Sequence, residues 1–427
     1  MKIEELYQCF LQCTTVSTDT RKIEANSLFV ALKGDNFDAN TFAQEALEKG
    51  ASFVIIDNKQ YYTNKDKMIL VSDSLKTLQE LAKYHRQQLG LPIISLTGSN
   101  GKTTTKELIN VVLAKKYNTK ATIGNLNNHI GVPLTLLSFN EDTDIGIVEM
   151  GANHQKEIEL LCSIAEPDYG YITNFGKAHL EGFGGIEGVI IGKSELYNYL
   201  EENKKMVFVN LDDEIQKNKT NQITRYTFSQ KEKSDVKIDS VSANPMVKIG
   251  VNDLEIQSHL IGLYNANNIN AAITIGKFFN ISDIEIKNAI ENYIPTNNRS
   301  QLIEKNSNTI ILDAYNANPS SMSAAILNLI QLEGKQKIAV LGDMFELGNE
   351  SLIEHKKIIE LLQNETQIET YFVGHDFFAN KLDATNLHFF ETYDEFAKVF
   401  KEKKITSKTI LIKGSRGMAL ERTLEIL

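Results

Sequence analysis

The sequence predicts an α/β protein of three domains, and three observations carry that prediction. Short apolar runs alternate with helical patterns along most of the chain, the arrangement that yields parallel sheets flanked by helices. At 427 residues the chain exceeds one ordinary domain. The alternation is punctuated by Gly90-Leu91-Pro92 and by Ile294-Pro295-Thr296-Asn297-Asn298, which read as a boundary and a linker. Expected domains are therefore 1–90 (small α/β), 91–295 (a central parallel sheet with helices, of phosphate-loop type) and 296–427 (Rossmann-like).

In the first block, residues 27–32 (SLFVAL) read as a buried strand and Gly34-Asp35-Asn36 as the turn after it. Residues 41–49 are helical in pattern and stop at Gly50, a residue suited to a left-handed C′ position. Residues 52–57 form another strand, and a helix over 74–89 leads to the boundary. Ser17 to Arg21 is hydroxyl-rich with one cation; its simplest reading is a capped turn carrying a surface ion pair.

The second block opens on Ile93-Ile94-Ser95-Leu96, then Thr97-Gly98-Ser99-Asn100-Gly101-Lys102-Thr103-Thr104, then a helical run. Strand, glycine-rich turn and helix make a phosphate cradle: backbone N–H groups converge and the helix adds its positive end. Lys102 is placed to reach outer phosphates and Thr103 to ligate Mg²⁺. Leu96 stands where the strict pattern has its first glycine, so the loop is a shortened variant. Strands are expected at 144–151, 168–174 and 206–210, with Glu149 and Asn174 at their carboxyl ends, where ligands gather in parallel sheets. Residues 220–262 read as short polar strands, expected antiparallel, and helices return at 265–279 and 282–293. The third block restarts the alternation with strands at 309–313, 337–343, 370–374 and 409–414, without a G-x-G-x-x-G.

Composition narrows the function. A charge of −10, from 45 Lys+Arg against 55 Asp+Glu, argues against a nucleic-acid surface. Cys9, Cys13 and Cys162 lack metal spacing, which suits a reducing compartment. The start MKIEEL lacks a signal-peptide pattern and no apolar run approaches a membrane span, so a cytoplasmic protein is expected.

Candidate chemistry follows from placement. Glu149 at a strand end suits a metal beside Thr103, although a solvated strand-end acid has the same pattern. His179 lies in a glycine-spaced loop and Lys193 early in an expected helix; a structural histidine and a surface lysine are the ordinary alternatives. Residues 125–133 (NLNNHIGVP) and 265–270 (NANNIN) are amide-rich and could bind phosphate or cap turns.

These motifs occur in an order that resembles the Mur ligases, the ATP-dependent amide-bond ligases of peptidoglycan assembly. The resemblance rests on 97–104, Val148-Glu149-Met150-Gly151-Ala152-Asn153, Ala178-His179-Leu180-Glu181 and Gly192-Lys193-Ser194-Glu195. In the third block Asp313-Ala314-Tyr315-Asn316-Ala317-Asn318-Pro319, residues 341–348 (LGDMFELG) with His355, and Lys413-Gly414-Ser415-Arg416 resemble the branch that adds a dipeptide. Residues 19–21 and 27–38 resemble the uridine-diphosphate end of the first domain. Departures are Ala39-Asn40, where Gly-His is usual, Tyr264, Asn298 and Ala314.

The resemblance implies that Gly98, Ser99, Asn100, Gly101, Lys102, Thr103 and Thr104 hold ATP, with Asn268 at the adenine and Arg299 and Asp313 closing over the nucleotide. It implies two Mg²⁺ ions, held by Thr103, Glu149 and His179, with Lys193 carbamylated beside them. Lys102, His179 and Lys193 are then the expected catalytic residues. Ser17, Asp19, Arg21, Lys33, Asp38, Asn125, Asn128, Asn316 and Asn318 are the expected substrate contacts. The implied partners are UDP-N-acetylmuramoyl-tripeptide and D-alanyl-D-alanine, joined through an acyl phosphate by a monomer. A sister ligase adding one amino acid is the nearest alternative. A nucleotide switch is the other; Asn64-Lys65-Asp66-Lys67 is the nearest base-reading string, and it precedes the loop.

Overall fold

The computed structural model describes residues 1–296, 298–334 and 336–427; Asn297 of the expected linker lies outside them. Among the described residues the three largest of five β-sheets succeed one another along the chain, each the framework of one domain. The first is parallel and four-stranded: Val16–Ser17, Leu28–Val30, Phe53–Ile56 and Met68–Leu70 in spatial order. The hairpin Lys33–Gly34 and Phe37–Asp38 lies beside it, and the expected helix appears as Ala43–Glu48.

Helix Ser74–Leu89 starts on an Asp73 cap and ends at Gly90 in the left-handed conformation, as its sequence requires. It ties the first domain to the second. His85 shares hydrogen bonds with Tyr7 Oη (3.1 Å) and the Phe139 carbonyl (3.0 Å), and Arg86 pairs with Asp168 at 2.8 Å.

The second sheet runs Val236–Lys237, Thr224–Ser229, Met206–Asn210, Tyr169–Ile172, Ile93–Thr97, Ile145–Glu149 and Thr119–Ala121, all parallel. The antiparallel expectation for 220–262 therefore holds only for Ser240–Ala243, Met246–Val251 and Leu254–Ile261, a separate three-stranded sheet. Thr224–Ser229 and Val236–Lys237 instead extend the parallel sheet. Their polar groups are met by side-chain carboxylates: Asp235 accepts from Thr227 N and Oγ1 (2.8 and 2.7 Å), and Asp212 from Ser229 Oγ (2.7 Å). Phe228 fills the core beneath them, which lets a polar-looking strand stay in the sheet.

The third sheet runs Gln301–Lys305, Asn308–Asp313, Thr409–Lys413, Lys337–Gly342, Ile368–Val373 and Leu387–Phe390, parallel except for its first pair. Gln301–Lys305 and Leu387–Phe390 are edge strands without a strong apolar run, and the sequence reading omitted them. Carboxyl ends of the second and third sheets supply the residues that meet between these two domains.

Candidate active site

The phosphate loop forms between strand Ile93–Thr97 and helix Lys102–Leu113. Gly98 has φ +140° and a Cβ there would sit 2.0 Å from Thr173 Oγ1; Gly101 has φ +79° and a Cβ 2.5 Å from Asn268 Oδ1. Both positions need glycine, for conformation and for space. Asn174, at the next strand end, holds the loop: its Oδ1 accepts from Asn100 N (3.1 Å) and its Nδ2 donates to Asn100 O (3.0 Å). Ser99 Oγ donates to Gly176 O at 2.6 Å.

This loop is one wall of a cavity of about 810 Å³. It contributes Ser99, Asn100, Gly101, Lys102 and Thr104. Asn268 joins them from helix Ala266–Phe278, its Oδ1 accepting from Thr105 Oγ1 at 3.0 Å. A second wall carries Asn125, Asn127, Asn128, Glu149, Glu157 and His179. The third carries Arg299, Asp313, Asn316, Asn318 and Lys413. Thr103 faces a neighbouring open cavity instead, which Asn125, Arg299 and Tyr315 also line.

Lys102 Nζ donates to Gly98 O at 2.7 Å. Burial pushes its ammonium below the usual lysine range, against the attraction of Glu149. Glu149 is 1% exposed; its Oε1 accepts from Asn127 Nδ2 at 2.8 Å, while Oε2 is buried without a partner among the described residues. A buried carboxylate oxygen in that state is costly, and a cation would satisfy it. Among the described residues no three His, Cys, Asp or Glu side chains cluster to hold a metal by themselves. Oxygens of a bound phosphate would have to complete such a site.

His179 has φ +53° and its Nδ1 is hydrogen-bonded to Glu346 of the third domain. That bond holds the Glu346 carboxyl below its usual range. Lys193 stands near the middle of helix Ile186–Glu202, not early in it, because the helix begins directly after Gly184-Gly185. It is fully buried and does not line the cavity; Nζ donates to Ala152 O at 2.9 Å and lies 4.8 Å from the Phe183 ring centre. Burial pushes its ammonium well below the usual range, and the nearby charge of Lys102 adds to this. The surface-lysine alternative is thereby excluded.

In the third domain Asp313 accepts from Lys413 Nζ (2.6 Å) and Ser300 N (3.0 Å), and the Arg299 guanidinium lies 3.7 Å over the Tyr315 ring. Asn318 caps helix Pro319–Gln331 and donates to Asn100 Oδ1 at 2.7 Å. Asn316 accepts from its neighbour Ala317 N, and Asn128 Oδ1 accepts from Ile130 N and Gly131 N at the entry to helix Gly131–Leu137.

The first-domain candidates lie apart from this cavity. Asp19 and Arg21 form the surface pair at 2.8 Å, whose hydrogen bonds hold Asp19 down at about 2; Ser17 Oγ packs against Asp19. Lys33 pairs with Asp57 at 2.8 Å. Buried Asn40 donates to both Asp38 (2.6 Å) and Asp57 (2.8 Å), so this departure from the family pattern is a fully bonded bridge. Sequence reasoning missed Asn127, Lys413 and Glu346. Each lay in a motif already noticed, and only packing shows which member of the motif turns inward.

Family models match the chain in three consecutive stretches: "Mur ligase family, catalytic domain" over 12–86, "Mur ligase middle domain" over 96–276 and "Mur ligase, glutamate ligase domain" over 298–416. A UDP-N-acetylmuramoyl-tripeptide–D-alanyl-D-alanine ligase of Bacillus subtilis is 36% identical over 419 residues, 95% of this chain and 91% of the relative. The chain belongs to the Mur ligase family. Among solved Mur ligases, MurF from Acinetobacter baumannii superposes with TM-score 0.87 at 29% identity, covering 99% of this chain and 98% of that one. MurF ligase from Thermotoga maritima in complex with ADP gives TM-score 0.85 at 27% identity, covering 98% and 97%. The Mur ligase fold of three domains is thus shown along the full chain. Among the described residues no helix is long and apolar enough to cross a membrane.

Proposed function

We propose that the chain uses ATP to join the amine of D-alanyl-D-alanine to the terminal carboxylate of UDP-N-acetylmuramoyl-tripeptide, through an acyl phosphate. The observation that carries this reading is one cavity walled by the phosphate loop, by Glu149 and its amides, and by Asp313 and Lys413 of the third domain. The near full-length likeness to relatives of that name supports the choice of substrates.

Gly98 to Thr104 and Asn268 bind the nucleotide, and Arg299 and Asp313 close over it. Lys102 offsets charge on the transferring group. The unpartnered Glu149 oxygen would hold Mg²⁺ together with Thr103, which lines the adjoining cavity, and His179 would hold a second ion. Bound Mg²⁺ would supply further charge neutralisation at the phosphates. Burial favours the neutral amine of Lys193, which would add CO₂ with loss of a proton to become a fixed anion. Arg21 and Lys33 are the cations offered to the uridine diphosphate, with Ser17, Asp19 and Asp38 positioning them. Asn125, Asn128, Asn316 and Asn318 face the peptide substrates. With division at 1–90, 91–295 and 296–427, the first domain carries the uridine-diphosphate contacts, and the other two share the nucleotide and peptide contacts across the cavity. The nucleotide substrates support a cytoplasmic enzyme, and we take it to act as a monomer.

Labelling the tripeptide's terminal carboxylate with ¹⁸O tests the acyl phosphate. One labelled oxygen is expected in the released inorganic phosphate. Label retained wholly in the peptide product, or found in AMP, contradicts the reading.

A further inference from the structure

The loop that follows strand Tyr169–Ile172 faces two ways. On one side Asn174 and Gly176 bond the phosphate loop through Asn100 and Ser99. On the other side the same loop docks the third domain. Lys177 N donates to Ser320 Oγ (2.8 Å), at the start of helix Pro319–Gln331, and Glu181 N donates to Glu346 O (3.2 Å). Lys177 Nζ reaches Glu354 Oε1 at 2.7 Å, on helix Ser351–Gln363.

That ion pair differs from the others at this boundary. The Glu354 side chain is only 5% exposed, and Lys177 is 37% exposed. Lys357 Nζ, one turn along the same helix, also donates to Glu354 at 2.7 Å. Removing the Lys177 side chain therefore breaks this ion pair without stranding a lone buried charge, because Lys357 still meets Glu354. Neither Lys177 nor Glu354 lines the cavity.

We propose that Lys177 and Glu354 are positioning residues for the second half of the reaction. Their pair registers the third domain against the loop that holds the phosphate loop, so that the acceptor amine meets the activated carbonyl and water is kept out. The inference rests on the ligase reading of the cavity. Its physical basis is the steep dependence of transfer on alignment, since a displacement of about 1 Å can cost about a hundredfold in rate. Nucleotide binding depends on groups that the pair does not touch, apart from the shared loop.

The test is a charge reversal with a second-site rescue in the full-length enzyme. Lys177→Glu is expected to lower kcat/KM for D-alanyl-D-alanine by about 10- to 100-fold. ADP affinity by calorimetry should fall clearly less than kcat/KM does, since Gly98 to Thr104 and Asn268 stay in place and only Arg299 and Asp313 move with the third domain, a split that general destabilisation would not give. The double variant Lys177→Glu/Glu354→Gln is expected to recover most of the loss, because the amide removes the like-charge clash and can bridge the boundary without opposing Lys357. Small-angle scattering without substrates should show a larger radius of gyration for Lys177→Glu and a return in the double variant. Unchanged kcat/KM in Lys177→Glu, a parallel fall in ADP affinity, or a folded double variant without recovery overturns the inference. A wild type that does not couple ATP use to the dipeptide refutes the ligase reading instead, and the scattering comparison still decides whether the pair docks the domain.

Discussion

Replacing Lys193 with alanine is expected to abolish ligation, by more than about a hundredfold in kcat, while leaving the fold intact. Lys193 makes one hydrogen bond, to Ala152 O, and its ammonium is disfavoured in the buried site. The sign of its effect on stability follows. With a folded pKa below the unfolded one, the unfolded state binds more protons between the two values, so this residue's contribution to stability rises with pH across that window. Below the window it opposes folding. Alanine loses the packing of a buried stem but also removes that penalty, so the net change in stability should stay below about 2 kcal/mol. Activity should fall because no anion can form at that position. A small added carboxylate should restore part of the rate, and removing CO₂ from the wild-type buffer should lower it until bicarbonate is supplied. Steady-state phosphate release with thermal unfolding as the fold control checks all three. A fully active Lys193→Ala enzyme would remove the carbamate from the account.

Glu149→Gln is the second large effect. The substitution keeps shape and can keep the Asn127 bond, since glutamine retains an oxygen in place of Oε1. Glu149 N also keeps its bond to Thr122 Oγ1, at 2.9 Å. What disappears is the charge, whose second oxygen has no partner among protein groups. The expected outcome is a kcat about a hundredfold lower and a raised Mg²⁺ requirement, measured by titrating Mg²⁺ at saturating ATP. The loss should also depress the Lys102 ammonium further, because Glu149 is the neighbour that opposes its desolvation. An unchanged Mg²⁺ requirement would show that the orphaned oxygen does not serve a cation.

Local pattern made the nucleotide end legible. Gly98, Gly101 and Lys102 announce themselves within a few residues, and the structure shows why the glycines are required: Thr173 and Asn268 leave no room for a side chain. Helix Ser74–Leu89 was equally readable, from its Asp73 cap to its Gly90 stop. Long-range packing decided the rest. In the run Asn125 to Asn128 the sequence favours no member, yet Asn127 meets Glu149 while Asn128 spends its oxygen on the amides of Ile130 and Gly131. His179 was read toward a metal, and its partner Glu346 stands 167 residues away in another domain. Thr224–Ser229 looked like a strand of an antiparallel sheet because its polar groups hide carboxylate partners at Asp212 and Asp235. Lys193 could be placed on a helix, but its burial beneath Phe183 has no local signature.

The central claim is that ATP cleavage in this cavity is committed to joining two particular peptides. Phosphate release measured with each substrate alone, with both together, and with single amino acids in place of the dipeptide tests it most directly. Release that requires UDP-N-acetylmuramoyl-tripeptide and D-alanyl-D-alanine together is the predicted result. Release driven equally well by a single amino acid, or by neither substrate, would contradict it.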